Sequence, residues 1–256
     1  MSTVILTGIL LTLIGVAIFY SSSLIDANRQ QMEYESSKQM LIYTATALEQ
    51  VAFGTGGSRY VRFSLSSTGI EFYNNSFGEL DVYVNGSLYL RDRETASIVV
   101  VGGPLVTTVF RLLRPEVVIN QTAELNKIIV GPGEPMVVVY ENFSRRAIAV
   151  LKPTRVRVNY LGVFQLLENG TLKRYNYFAI SYINVTIGPV GGAGSVPVIL
   201  RNIGITTREY KINGTSISVT ATLHGHTETQ NFAGDPTADG SIVLVRVANV
   251  EITTRG

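Results

Sequence analysis

The chain contains no cysteine, which excludes thiolate metal sites, redox dithiols and disulfides together. Stability must come from ordinary packing. Charge is also scarce: Asp, Glu, Lys and Arg make up 16% of 256 residues, against roughly a quarter in a typical globular chain. The basic residues stand singly and the net charge is only +2, so nothing points to a nucleic-acid surface. With 46% hydrophobic residues, a chain of this length buries a sizeable core.

Charge is missing altogether before Asp26. In its place Val4, Ile5, Leu6, Ile9, Leu10, Leu11, Leu13, Ile14, Val16, Ile18 and Phe19 form an apolar run that covers every side of a helix. Apolar surface left in water costs roughly 25 cal/mol per Å², so lipid, sister copies of the helix, or both in succession must cover it. As a helix, Ser2 to Leu24 would span roughly 35 Å, enough to cross a hydrocarbon core. A cleaved secretory signal is the alternative, but its apolar region is shorter. Here Ser21-Ser22-Ser23-Leu24-Ile25 leads into more helix-forming sequence.

Gly and Pro are absent from Asp26 to Phe53, and good helix formers dominate. Met40, Tyr43, Ala47 and Val51 recur at spacings of three and four, flanked by Leu41 and Leu48. This stripe is expected to dock on the rest of the protein. Gly54-Thr55-Gly56-Gly57 then ends the helix. One helix of about 50 residues would be roughly 75 Å long. Residues 1–54 carry a net charge of −2 and the remainder +4.

After the glycines the apolar period changes to two. Arg155 to Tyr160 and Ser216 to Leu223 alternate strictly, as half-buried strands do. Asn85-Gly86, Asn169-Gly170 and Asn213-Gly214 each lie between such runs and predict three hairpins, since both residues tolerate positive φ. Further strands are expected at Tyr60 to Leu65, Ile70 to Tyr73, Ser97 to Val101, Met136 to Tyr140, Ile148 to Leu151, Val196 to Leu200 and Ser241 to Ile252. No second helix is evident. The expected class is α+β: a long hydrophobic-then-amphipathic N-terminal helix over 1–54 and an antiparallel β-sandwich head over 58–256. Gly131-Pro132-Gly133-Glu134-Pro135 reads as a loop within one enlarged sandwich, or as the division between two.

Asn-X-Ser/Thr triplets occur at Asn74, Asn85, Asn120, Asn142, Asn169, Asn184 and Asn213. Asn-Gly turns followed by a β-favouring residue account for three of them. Surface glycosylation is the expectation for an exported chain, with Asn184 the weakest site because it falls in a strand. The flanking charges disagree with export: nothing basic precedes the apolar run, while Arg29 and Lys38 follow it, which would keep the head in the cytoplasm. A short basic leader removed before Met1 would reconcile the two.

A long N-terminal helix from Ser2 to Phe53, apolar then amphipathic, joined through Gly54 to Gly57 to a β-rich head, resembles the archaeal type IV pilin-like family, which includes adhesive pilins and archaellins. The resemblance implies a leader cut by a prepilin peptidase, storage of the subunit in the membrane, and assembly by an ATPase and platform into a helical homopolymer. Helices would bundle in the filament core with the heads outside, for surface adhesion and motility. Ile5 stands where bacterial pilins usually carry a glutamate, and the head is long for the family. The alternative is a surface protein held by one membrane helix: an archaellum stator-like or S-layer-binding component, or a tethered binding protein for sugars or peptides.

Catalytic patterns are weak. His224-Gly225-His226 puts two imidazoles on one face of an extended chain, and a carboxylate such as Asp235 would complete a metal site with them. A polar turn is the expected role, with no metal. Gly188 to Ser195 is glycine-rich but has no Lys or helix pattern after it, so it reads as a flexible surface loop and not a phosphate loop. The aromatics of Arg174-Tyr175-Asn176-Tyr177-Phe178 either line a groove or pack within a strand. No catalytic residue, cofactor or nucleic-acid partner is expected.

Overall fold

The computed structural model describes residues 2–54, 57–116 and 118–255, with the side chains of residues 2–4 excepted. Helix α1 runs unbroken over Ser2–Phe53, as the absence of Pro and of mid-helix breakers after Gly15 allows. Gly54 ends it, donating to Gln50 O at 2.8 Å. A Cβ at this position would lie 2.3 Å from the Gln50 carbonyl oxygen, so only glycine closes this turn without displacement. Thr55 and Gly56 of the expected terminator lie outside the described residues.

Among the described residues fifteen strands follow: β1 Ser58–Ser64, β2 Gly69–Tyr73, β3 Leu80–Val84, β4 Ser87–Asp92, β5 Ser97–Val101, β6 Arg111–Arg114, β7 Ile129–Val130, β8 Val138–Ser144, β9 Arg146–Lys152, β10 Val156–Glu168, β11 Thr171–Ile187, β12 Ser195–Ile212, β13 Ser216–Leu223, β14 His226–Ala233 and β15 Gly240–Thr253. A second helix, α2 over Gln121–Asn126, corrects the expectation of none. It is a single six-residue turn-and-a-half with no buried residue, capped by Asn120 Oδ1 on Ala123 N. A segment this short has no apolar stripe for periodicity to reveal.

The strands form three sheets: six-stranded β1-β12-β15-β11-β10-β7, four-stranded β14-β13-β3-β4 and five-stranded β2-β5-β9-β8-β6. Pairing is mostly antiparallel. The exceptions are β10–β7 and, centrally, β11–β15, which run parallel in unbroken register from Tyr175↔Gly240 to Ile187↔Ile252. Residues 131–135 turn between β7 and β8, and strands from both sides of this segment share each of the three sheets.

The central pair changes its buried face halfway along. Phe178, Ile180 and Tyr182 of β11, with Val243 and Val245 of β15, pack into a core shared with β3, β4 and β13. Ile183 and Val185, with Ala248, Val250 and Ile252, point the other way into a core shared with α1, β1, β5, β8 and β9. Because neighbours on a strand face opposite sides, the adjacent apolar pairs Tyr182-Ile183 and Val247-Ala248 mark the change. They sit side by side in the register. In β12 the same switch is made by a bulge between Asn202 and Gly204, which moves one strand's side chains to the other face.

Two of the three expected hairpins form with two-residue turns of positive φ: Asn85-Gly86 joins β3 to β4 and Asn169-Gly170 joins β10 to β11. Asn213-Gly214 does not make a hairpin. It carries the chain from the six-stranded sheet to the four-stranded sheet, because β12 pairs with β15 and β13 with β3 and β14. His224-Gly225 is a two-residue hairpin turn between β13 and β14.

Candidate functional site

Helix α1 divides into a docked half and a bare half. Tyr34, Leu41, Ala45, Leu48 and Ala52 have no exposed surface. Their positions repeat every seven residues or at three-to-four spacing, so they form one line down the helix. Ala47 and Val51 are buried beside this line, and Met40 packs half-buried against the same core. Tyr43 is the correction: it is 52% exposed. Two residues from Leu41 it is about 200° away around the helix, on the opposite side from the docking line.

Polar side chains of α1 fasten the loops beneath it. Glu33 accepts from the backbone N–H groups of Ser66, Ser67 and Thr68 and from the hydroxyls of Ser67 and Thr68, the last at 2.7 Å. Burial alone would raise its pKa, but these donors hold the carboxyl down at about 2. Glu49 Oε1 accepts from Met136 N at 2.8 Å, Val137 N at 2.9 Å and Arg114 Nη1 at 2.9 Å. Lys38 Nζ meets Glu141 Oε2 at 2.8 Å. Gln30 Oε1 takes the N–H of Leu105 at 3.1 Å. At the far end Asn202 Nδ2 donates to the carbonyls of Val51 and Ala52, which a helix C-terminus otherwise leaves open. Sequence periodicity tracks apolar residues, so none of these anchors was visible to it.

From Ile5 through Asp26 every side chain is exposed. Ile5, Leu6, Ile9, Leu10, Leu11, Leu13, Ile14, Val16, Ile18 and Phe19 are each between 51% and 79% exposed. The side chain of Val4 lies outside the described residues. The segment is long and apolar enough to cross a membrane. It continues, without a helix break, from a half held by a buried core and by the polar contacts above.

Asn74, Asn85, Asn120, Asn169 and Asn213 are exposed. Asn85 Oδ1 accepts from Ser218 N, and Asn120 Oδ1 is the α2 cap. In both cases the hydrogen bond uses the amide oxygen. Asn142 is half-buried. Asn184 lies half-buried in mid-strand and donates its own amide nitrogen to Asn249 Oδ1 at 3.0 Å, so the atom that would carry a glycan is engaged within the sheet.

His224 and His226 are exposed at the β13–β14 turn, while Asp235 lies beyond the other end of β14, bonded to Thr237 and Arg174. They form no common site, and no cluster of metal-binding residues occurs among the described residues. The glycine-rich segment is tied down: Thr254 Oγ1 accepts from Gly191 N and donates to Gly191 O, both at 2.6 Å. Of the aromatics at 174–178, Tyr175 and Phe178 are buried, and Tyr177 meets Phe164 edge-on at 4.8 Å. They pack within and against the sheet. No protein-family model, curated protein or solved structure matches this chain.

Proposed function

We propose that this chain is a structural subunit of an extracellular, type IV pilus-like filament whose function is surface adhesion and motility. The carrying observation is the contrast within α1: one continuous helix whose second half is locked to a β-rich head and whose first half exposes apolar side chains on every side. A lone lipid anchor needs a hydrophobic cylinder but no fixed angle to its head. A filament subunit needs both, because its helix must meet neighbouring helices at a repeated angle. In this reading the bare half is held in the membrane before assembly, then moves into a bundle of sister helices while the head, a β-sandwich built on the six-stranded sheet, forms the glycosylated outer wall. A prepilin peptidase and an assembly ATPase with its platform are the implied partners, and no enzymatic activity is assigned.

A single-anchor surface protein is the second reading, favoured by the length and hydropathy of the same segment. Electron microscopy of material sheared from cells separates the two. Filaments should be present with the native chain and absent with Leu11→Asp, while the detergent-solubilised variant keeps its near-ultraviolet circular dichroism. Normal filaments from the charged variant, or none from the native chain, would reject assembly through this helix.

A further inference from the structure

Lys152, the last residue of β9, lines a cavity of about 550 Å³ where the β2–β3 loop, the end of α2 and the β13–β14 turn converge. Its ammonium donates to Leu125 O at 3.2 Å and stands 5.3 Å from the centre of the Phe77 ring. No ion pair among the described residues includes it. The nearby carboxylates are committed elsewhere: Glu124 to Arg155, Glu134 to Lys127, and Glu228 to the backbone N–H groups of Ile128 and Ile129. A half-buried ammonium without a counter-charge is unfavourable unless a ligand or solvent supplies one. The other polar groups on the wall are hydrogen-bonding side chains, notably Asn75, Asn126, His224 and His226.

We propose that this cavity binds a small hydroxylated carboxylate of the uronic-acid type, with the carboxylate on Lys152 and the hydroxyls on the amides and imidazoles. One cation matches one negative charge. The adjacent Arg155 adds none, since its Nη atoms are spent on Glu124 and on the carbonyls of Glu124 and Pro135. The volume lies within the range of small-ligand sites. The assignment does not rest on the filament reading and holds equally for a single-anchor protein.

Calorimetric titration of the full chain in a neutral detergent tests it, with glucuronate, glucose and inorganic phosphate as probes. Glucuronate should bind saturably and glucose at least about tenfold more weakly, because it lacks the charge-assisted bond. Lys152→Met should weaken glucuronate at least about tenfold, and Asn126→Ala, which keeps the cation, severalfold. Burial, and then Arg155, lower the Lys152 ammonium to about 8, and no carboxylate among the lining residues opposes this. Affinity should therefore fall about tenfold between pH 7 and pH 9. Failure of glucuronate to bind by about 10 mM, equal binding of glucose or phosphate, or indifference to Lys152→Met would overturn the proposal.

Discussion

Lys38 on α1 and Glu141 on β8 meet at 2.8 Å with side chains 8% and 4% exposed, and Thr108 Oγ1 donates to the same Glu141 oxygen at 2.7 Å. The pair joins residues 103 positions apart. Removing one partner of a buried pair leaves an uncompensated charge, which costs about 3–5 kcal/mol.

Lys38→Met should therefore lower stability by about 3 kcal/mol, measured from urea midpoints of the full chain in detergent. Combining it with Glu141→Leu should restore a large part of the loss, since an apolar pair can replace a buried ion pair at little cost. A single variant that unfolds like the native protein would mean the pair carries no weight at the joint.

Glu33 gives a pH signature. Its folded pKa of about 2 lies below the ordinary value of 4.5, so its contribution is complete above the ordinary value and is lost as pH falls toward 2. Allowing for solvent screening, about 1–2 kcal/mol is expected. Glu33→Gln should lose that amount at neutral pH and show a shallower decline between pH 4.5 and 2. Parallel pH profiles for the two proteins would exclude the clamp at Ser66 to Thr68.

The docking line predicts opposite results at two neighbouring residues. Leu41→Ala should cost about 3 kcal/mol through lost burial and a residual cavity, whereas Tyr43→Ala should stay within about 0.5 kcal/mol. Thermal melts of the two variants check this. Equal losses would mean that Tyr43 also has a partner face within the subunit.

For glycosylation, Asn85 and Asn169 at hairpin tips and Asn213 in its exposed crossover loop should carry glycans in native material, and Asn184 should be bare because its nitrogen is bonded to Asn249. Glycopeptide mass spectrometry of protein from the source organism reads each site separately. A native mass equal to that of the bare chain would reject modification altogether.

Local chemistry was legible wherever neighbouring residues decide structure. The continuous helix follows from a stretch without Gly or Pro beyond Gly15, and the turns at Asn85-Gly86 and Asn169-Gly170 follow from residues that accept positive φ. The same dipeptide at Asn213-Gly214 misled, because a turn signal says that the chain reverses and not which sheet receives the next strand. Tyr43 misled for a related reason: an aromatic residue near a stripe looks like part of it until the opposing surface is known.

By itself, then, the amino-acid order determined the length of α1, its all-round apolar first half and the strand periodicity after Gly57, since each depends on interactions within a few residues. Tertiary structure decided the parallel union of β11 with β15 and the change of buried face at Tyr182-Ile183 and Val247-Ala248. It also decided that Glu33, Lys38 and Glu49, polar residues in an otherwise ordinary helix, are what hold it to the head. Those outcomes join groups tens of residues apart, and a strand with apolar residues on both faces fits two cores equally well until both are assembled around it.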